Sequence, residues 1–174
     1  MNPAPARPAA NPIPAADASG ALAPIVLAVA VDAPPARAFD YFTRDIGRWW
    51  PLARFSCGGQ DALDVRFEPQ VGGGILERTR DGTLHRWGTV TAWAPGRHLR
   101  FTWHPGRDDR AAQWVELAFE AAGAGTRVTL THGGWAALGD SAVASRNEYG
   151  NGWQTVFAQS FAGYCNAHGQ EVAP

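Results

Sequence analysis

The stretch VDAPPARAFDYFTRDIGRWWP, residues 31–51, reads as a strand end, a proline-initiated helix and two adjacent tryptophans stopped by a proline. Pro34 or Pro35 suits a first helical position, where a missing N–H costs nothing. Ala38, Phe39 and Phe42 then recur on one helical face with Tyr41 beside it. Ile46, Trp49 and Trp50 continue that spacing after Arg44-Asp45, as a second short helix ended before Pro51. Each tryptophan can bury roughly 150–250 Å². The pair at the end of so short a helix demands substantial cover, from core or from ligand.

Outward from this segment, PIVLAVAV at 24–31 is short, rich in β-branched residues and closed by Asp32 and two prolines, as a strand would be. Residues 1–23 are dominated by Pro and Ala and read as a disordered leader. The apolar run 21–31 has the length of a signal-peptide core, but a proline interrupts it and the preceding region lacks a basic cluster. It is far short of the roughly 20 residues that span a bilayer. Beyond Asp61 the period becomes two. Leu63, Val65 and Phe67 alternate with polar residues, a triple glycine at 72–74 marks a turn or bulge, and Asp81-Gly82 is a hairpin signal. Strands are expected at ILERTR, at 84–93, around Leu99, Phe101 and Trp103, at QWVELAFEA and at TRVTLTH. Val115, Leu117 and Phe119 share a face, as do Val128, Leu130 and His132, while Trp114 falls out of phase and faces away. From Trp153 a stripe of Val156, Phe157, Phe161 and Tyr164 returns to helical spacing. Asp140 or Ser141 could cap this helix, and Gly150 and Gly152 would kink it or shift its start.

Composition bounds the function. A length of 174 residues suits one domain, here 24–168, with a tail at 169–174. The net charge of −1 gives no lure for nucleic acid or anionic membrane, so neither is expected as a partner. Arginines 97, 100, 107, 110 and 127 are interleaved with acids, the pattern of a solvated face. Cys57 and Cys165 have no metal-ligand spacing, and the histidines form no HxH or HExxH pattern. No metal or other cofactor is expected, and two reduced thiols suit a cytoplasmic protein.

The order β-α-α-β6-α implies an α+β fold: a curved antiparallel sheet of about seven strands wrapped around one long C-terminal helix. This order resembles the START/Bet v 1-like helix-grip (SRPBCC) superfamily. Within it the chain resembles the branch named after the C-terminal domain of activators of the heat-shock-ninety chaperone ATPase (the Aha-type domain). The matching motifs are VDAPPARAF, Trp49 to Pro51, FEPQVGG at 67–73, HRWGTVTAWAPGRHLRFTWHP at 85–105, GTRVTLTHGGW at 125–135 and Gly152-Trp153. Such a resemblance implies a space between sheet and helix. It also implies three possible roles: a carrier of small hydrophobic molecules, a chaperone-binding protein, or a polyketide cyclase-like or hydrolase-like enzyme on aromatic molecules.

Seven tryptophans, at 49, 50, 87, 103, 114, 135 and 153, lie on elements that bound that space. The leading expectation is a non-enzymatic protein that binds a small hydrophobic or aromatic ligand. Its cavity candidates are Trp49, Trp50, Trp87, Phe101, Trp103, His132, Trp153, Phe157 and Phe161. Glu77 and His85, on adjacent strands, could add a polar pair, and with His132 they are the acid/base candidates that a cyclase would need.

Overall fold

The alternating segments pair into one seven-stranded antiparallel sheet in a computed structural model that describes residues 21–169. Its strands are β1 (Ile25–Val31), β2 (Ala62–Phe67), β3 (Gly74–Thr79), β4 (Leu84–Ala94), β5 (His98–Trp103), β6 (Gln113–Ala122) and β7 (Gly125–Gly133). Their order is β1-β7-β6-β5-β4-β3-β2, so β2 to β7 form a meander and β1 closes the far edge. Two helices, α1 (Pro35–Thr43) and α2 (Ile46–Trp49), carry the chain from β1 to β2. Pro34 is the residue before α1 and Pro35 opens it. Of the proposed leader and tail, nearly all lies outside the described residues; Leu22, at the leader's end, packs against the core.

The core lies on the concave face. Leu99, Phe101 and Trp103 on β5, Val115, Leu117 and Phe119 on β6, and Val128, Leu130 and His132 on β7 are each at most 4% exposed. Alternation fails where the ladder slips. Leu63 is an extra residue between Ala62 and Asp64, and it is 42% exposed instead of sharing the buried face of Val65. On β4, Trp87 and Thr91 are extra residues in the pairings with β3 and β5. Trp87 and Val90 are therefore both buried although three apart, which an unbroken strand would forbid. Such bulges raise the local twist, and here they curl the sheet into a half-barrel.

The chain then crosses the mouth of that half-barrel as one continuous helix: α3 (Ala142–Trp153), a π-helical segment (Gln154–Phe161) and α4 (Ala162–His168). The helix runs straight through Gly150 and Gly152, and its irregularity lies after them, in the π turn. Trp153, Phe157, Phe161 and Cys165, spaced by fours, are all buried. A stripe at that spacing drifts about 40° per step in a pure α-helix. Wider i→i+5 turns drift it back, so the π segment keeps the stripe on the sheet. Ser141 does not cap α3; its hydroxyl donates to the Leu138 carbonyl. Tyr41 Oη donates to His168 O (2.8 Å) and Arg146 Nε to Ala23 O (2.6 Å), tying both ends of the helix down. No helix among the described residues is long and apolar enough to cross a membrane.

Gly88, next to the bulge at Trp87, lets β4 approach β5 closely, since a Cβ there would sit 1.7 Å from the Thr102 carbonyl oxygen. Gly88→Ala should cost at least about 2 kcal/mol by forced overpacking. Urea denaturation measures it, and an unchanged midpoint would contradict this account of the bend.

Candidate functional site

Trp50 follows α2 in extended backbone before Pro51, and its side chain is buried. Its ring centroid lies 5.0 Å from Trp87, 5.5 Å from Trp49, 5.9 Å from Trp103 and 6.0 Å from Trp153. Its indole N–H donates to Phe55 O at 2.7 Å and closes the following loop into a tight set of turns. Glu77 anchors the far side of that loop. It is wholly buried, and its carboxylate accepts from Cys57 N (2.8 Å), Gly58 N (2.7 Å) and Trp87 Nε1 (2.7 Å). Three N–H donors match an acceptor-only carboxylate, which could not be left bare in an aromatic shell.

Between this loop, the β5–β6 loop and α3 lies a cleft of about 450 Å³, open on one side. Trp50, Trp103, Trp153 and Val156 supply its apolar floor, and Phe55, Pro105 and Gly152 its walls. Ser56, Cys57 and Tyr149 add polar atoms, and Arg54, Arg107 and Glu148 stand at the rim. Gly152 keeps it open: a Cβ there would already touch the Phe55 ring at 3.5 Å. Burial, reinforced by the Glu77 charge, pushes the Cys57 thiol up to about 11, so it stays a neutral thiol at neutral pH. Burial also raises Tyr149, against smaller downward pulls from the Arg107 charge and the Trp103 indole.

His132 sits behind this wall. Its Nδ1 accepts from Trp153 Nε1 at 3.0 Å, and an indole nitrogen only donates, so the imidazole proton is on Nε2. Burial drives its pKa down to about 3, so it is neutral through the physiological range. Its ring packs 4.3 Å from Trp135 and 4.8 Å from Tyr149. Four buried polar atoms have no hydrogen-bond partner among the described residues: Trp103 Nε1, Gln113 Oε1, His132 Nε2 and Trp135 Nε1.

Of the sequence candidates, the structure brings Trp50, Trp103 and Trp153 to the cleft. Trp87 and Phe101 lie beneath that floor, buried against Trp103. Trp49, Phe157 and Phe161 pack among themselves and Phe42 in the core, outside the cleft lining. Glu77 and His85 are opposite one another in the β3–β4 ladder, but neither lines the cleft; Glu77 holds the loop and His85 is half-buried. His132 touches the cleft only through Trp153 and Tyr149. Sequence reasoning missed Arg54 to Cys57 and Pro105 with Arg107, which lie in loops without a period. It also missed Tyr149, although Tyr149, Gly152, Trp153 and Val156 stand at i, i+3, i+4 and i+7 on one helical face.

Residues 32–166 match the sequence family described as activator of Hsp90 ATPase homolog 1-like protein. No curated protein matches the chain. Among solved structures, an anthrahydroquino-γ-pyrone synthase, Txn09, determined in complex with the molecule SUM, is 30% identical with a TM-score of 0.52, over 74% of this chain and 86% of that one. The Aha1 dimer of Colwellia psychrerythraea superposes with a TM-score of 0.59 at 16% identity, over 86% of this chain and 100% of that one. Protein MLL2253 of Mesorhizobium loti gives 0.59 at 18% identity, over 79% and 93%. The last two likenesses are of fold.

Replacing Glu77 by Gln puts an NH₂ group against N–H donors, and should cost about 2–3 kcal/mol, as for a lost hydrogen bond to a charged group. Amide exchange at Cys57 and Gly58 should accelerate in the same variant; unchanged exchange there would show that Glu77 does not clamp the loop. His132 gives a pH signature. Its folded pKa, about 3, lies below the ordinary 6.5, so the unfolded chain takes up a proton that the fold refuses. The His132 contribution is whole above about pH 6.5 and falls away as pH drops toward 3. His132→Asn, whose Oδ1 can stand where Nδ1 does, should flatten the decline of melting temperature over that window. Parallel curves for the two proteins would refute the assignment.

Proposed function

The chain belongs to the activator of Hsp90 ATPase homolog 1-like family, with the helix-grip fold, and from that premise we propose that it binds a planar aromatic small molecule in the tryptophan-floored cleft. One observation carries the reading. Three tryptophans, 50, 103 and 153, meet at a cleft of about 450 Å³. Specific ligand sites are of this kind, largely apolar with a few placed polar groups, and from about 300 Å³ upward. Aromatic faces at centroid distances of 5–6 Å favour an aromatic guest in offset or edge-on contact. The name of the 30%-identical relative, an anthrahydroquino-pyrone synthase, points to the same class of molecule.

That relative also supports a second reading, an enzyme acting on such a molecule. The side chains at the cleft favour binding. The sequence candidates for acid/base work, Glu77, His85 and His132, lie outside its lining, and Cys57 is held protonated. A chaperone-binding role, in keeping with the family description, calls for an exposed apolar face. Among the described residues the exposed large apolar side chains, Val26, Leu63, Val71, Leu84 and Val143, are distributed over β1, β2, the β2–β3 turn, β4 and α3 and form no face of one element. We place the protein in the cytoplasm, in keeping with two free thiols.

Equilibrium dialysis with naphthalene tests the proposal. Saturable binding at one site is expected, weakened at least about tenfold by Gly152→Leu, which fills the cleft from a helical position where a glycine is no asset. Non-saturable uptake, or uptake indifferent to Gly152→Leu, would overturn it.

A further inference from the structure

The unpartnered buried polar atoms at and behind the cleft are mostly N–H donors, and that bias defines the ligand more narrowly than the aromatic floor does. Trp103 is 4% exposed, lines the cleft, and its indole N–H has no acceptor. The Tyr149 hydroxyl, its pKa raised by burial, is a neighbour of that N–H, which pulls the pKa down, but the two do not reach hydrogen-bond geometry. A buried indole N–H ordinarily finds a partner, and leaving it bare is costly.

Trp103 is not alone. In the ladder it pairs with Gln113, and Gln113 stands two residues before Val115, which pairs with His132. Trp103, Gln113 and His132 are thus neighbours on the concave face, and Trp135 stacks on His132. The unpartnered atoms in this group are three N–H donors, on Trp103, His132 and Trp135, against one acceptor, Gln113 Oε1. The His132 donor follows from its tautomer, since Nδ1 is already taken by Trp153. Tyr149 packs on both His132 and Trp135 and forms the layer between those two donors and the cleft. The rim repeats the bias. Arg54 and Arg107 take part in no ion pair among the described residues, and one carboxylate, Glu148, stands with them in the lining.

Building on the aromatic-binding reading, we infer that the occupant is an aromatic oxyanion, a ring carboxylate or phenolate, whose oxygen accepts from Trp103 Nε1 beside Tyr149 and faces Arg107. A plain hydrocarbon leaves the Trp103 donor unmet. An aromatic amine sets more donors against donors. A charged acceptor satisfies the N–H with the stronger kind of hydrogen bond and draws on the cationic rim.

Three probes of similar shape decide it by equilibrium dialysis: 2-naphthoate, naphthalene and 2-naphthylmethylammonium. The naphthoate should bind at least about tenfold more tightly than naphthalene, the size of one hydrogen bond to a charged group, and the ammonium most weakly. Trp103→Phe keeps an aromatic ring and removes the N–H, so it should bring naphthoate down to the affinity that the same variant has for naphthalene. Arg107→Gln, an exposed change that gives up a long 3.5 Å contact to Ser145 Oγ, should weaken naphthoate and flatten its salt dependence, and it carries the test if Trp103→Phe fails to fold. Equal affinity for naphthoate and naphthalene, preference for the ammonium, or a salt dependence unmoved by Arg107→Gln would overturn the inference and leave aromatic binding standing. Failure of all three probes to bind would overturn aromatic binding itself.

Discussion

Trp50 is buried among other tryptophans, and the functional end of the molecule is arranged around that packing. Pro51 ends the helical path after it, and four other tryptophans ring it at 5.0–6.0 Å. Because its indole N–H is committed to Phe55 O, the chain after it is forced into a loop on the same side as the β5–β6 turn. That loop becomes one wall of the cleft. The remaining wall is α3, brought close by Gly152 and held in phase with the sheet by the π segment.

The tryptophans divide by what their N–H groups do. Trp49 and Trp50 bond backbone carbonyls, Trp87 bonds Glu77 and Trp153 bonds His132. Each of these joins the aromatic cluster to a specific neighbour, which is how a core of large flat rings is kept to one arrangement. Two of them hold polar side chains that would be costly to bury alone: a carboxylate, and an imidazole kept neutral. Trp103 and Trp135 make no such bond. Packing alone does not separate structural from available tryptophans, since both groups are buried. Hydrogen-bond accounting does.

Much of the fold was legible in the sequence, because strict alternation on β5, β6 and β7 places their apolar residues on one face. The same reasoning failed at Leu63 and across β4, because a bulge adds a residue with no mark in composition. The parity of Glu77 was likewise undecidable after the triple glycine, and only the pairing with β4 shows it turned inward. At the site, the tryptophans stood out by size, and three of them reach the cleft. The loop residues Arg54 to Cys57, Pro105 and Arg107 carry no periodic signal, and the first group is held by bonds to the Trp50 indole and the distant Glu77 carboxylate. The helical face of Tyr149, Gly152, Trp153 and Val156 was readable, but the two glycines drew attention to helix weakness rather than to the room they leave.

The central claim is that the Trp103 N–H is held ready for an acceptor in the cleft, and nuclear magnetic resonance reads it directly. In ¹H–¹⁵N spectra each of the eight tryptophans contributes one indole N–H signal. On titration with 2-naphthoate the Trp103 indole proton should move furthest downfield, while Trp114, which lies under Arg100 on the other face of the sheet, should stay in place. An unmoved Trp103 signal at saturation, or a shift largest at Trp114, would contradict the account.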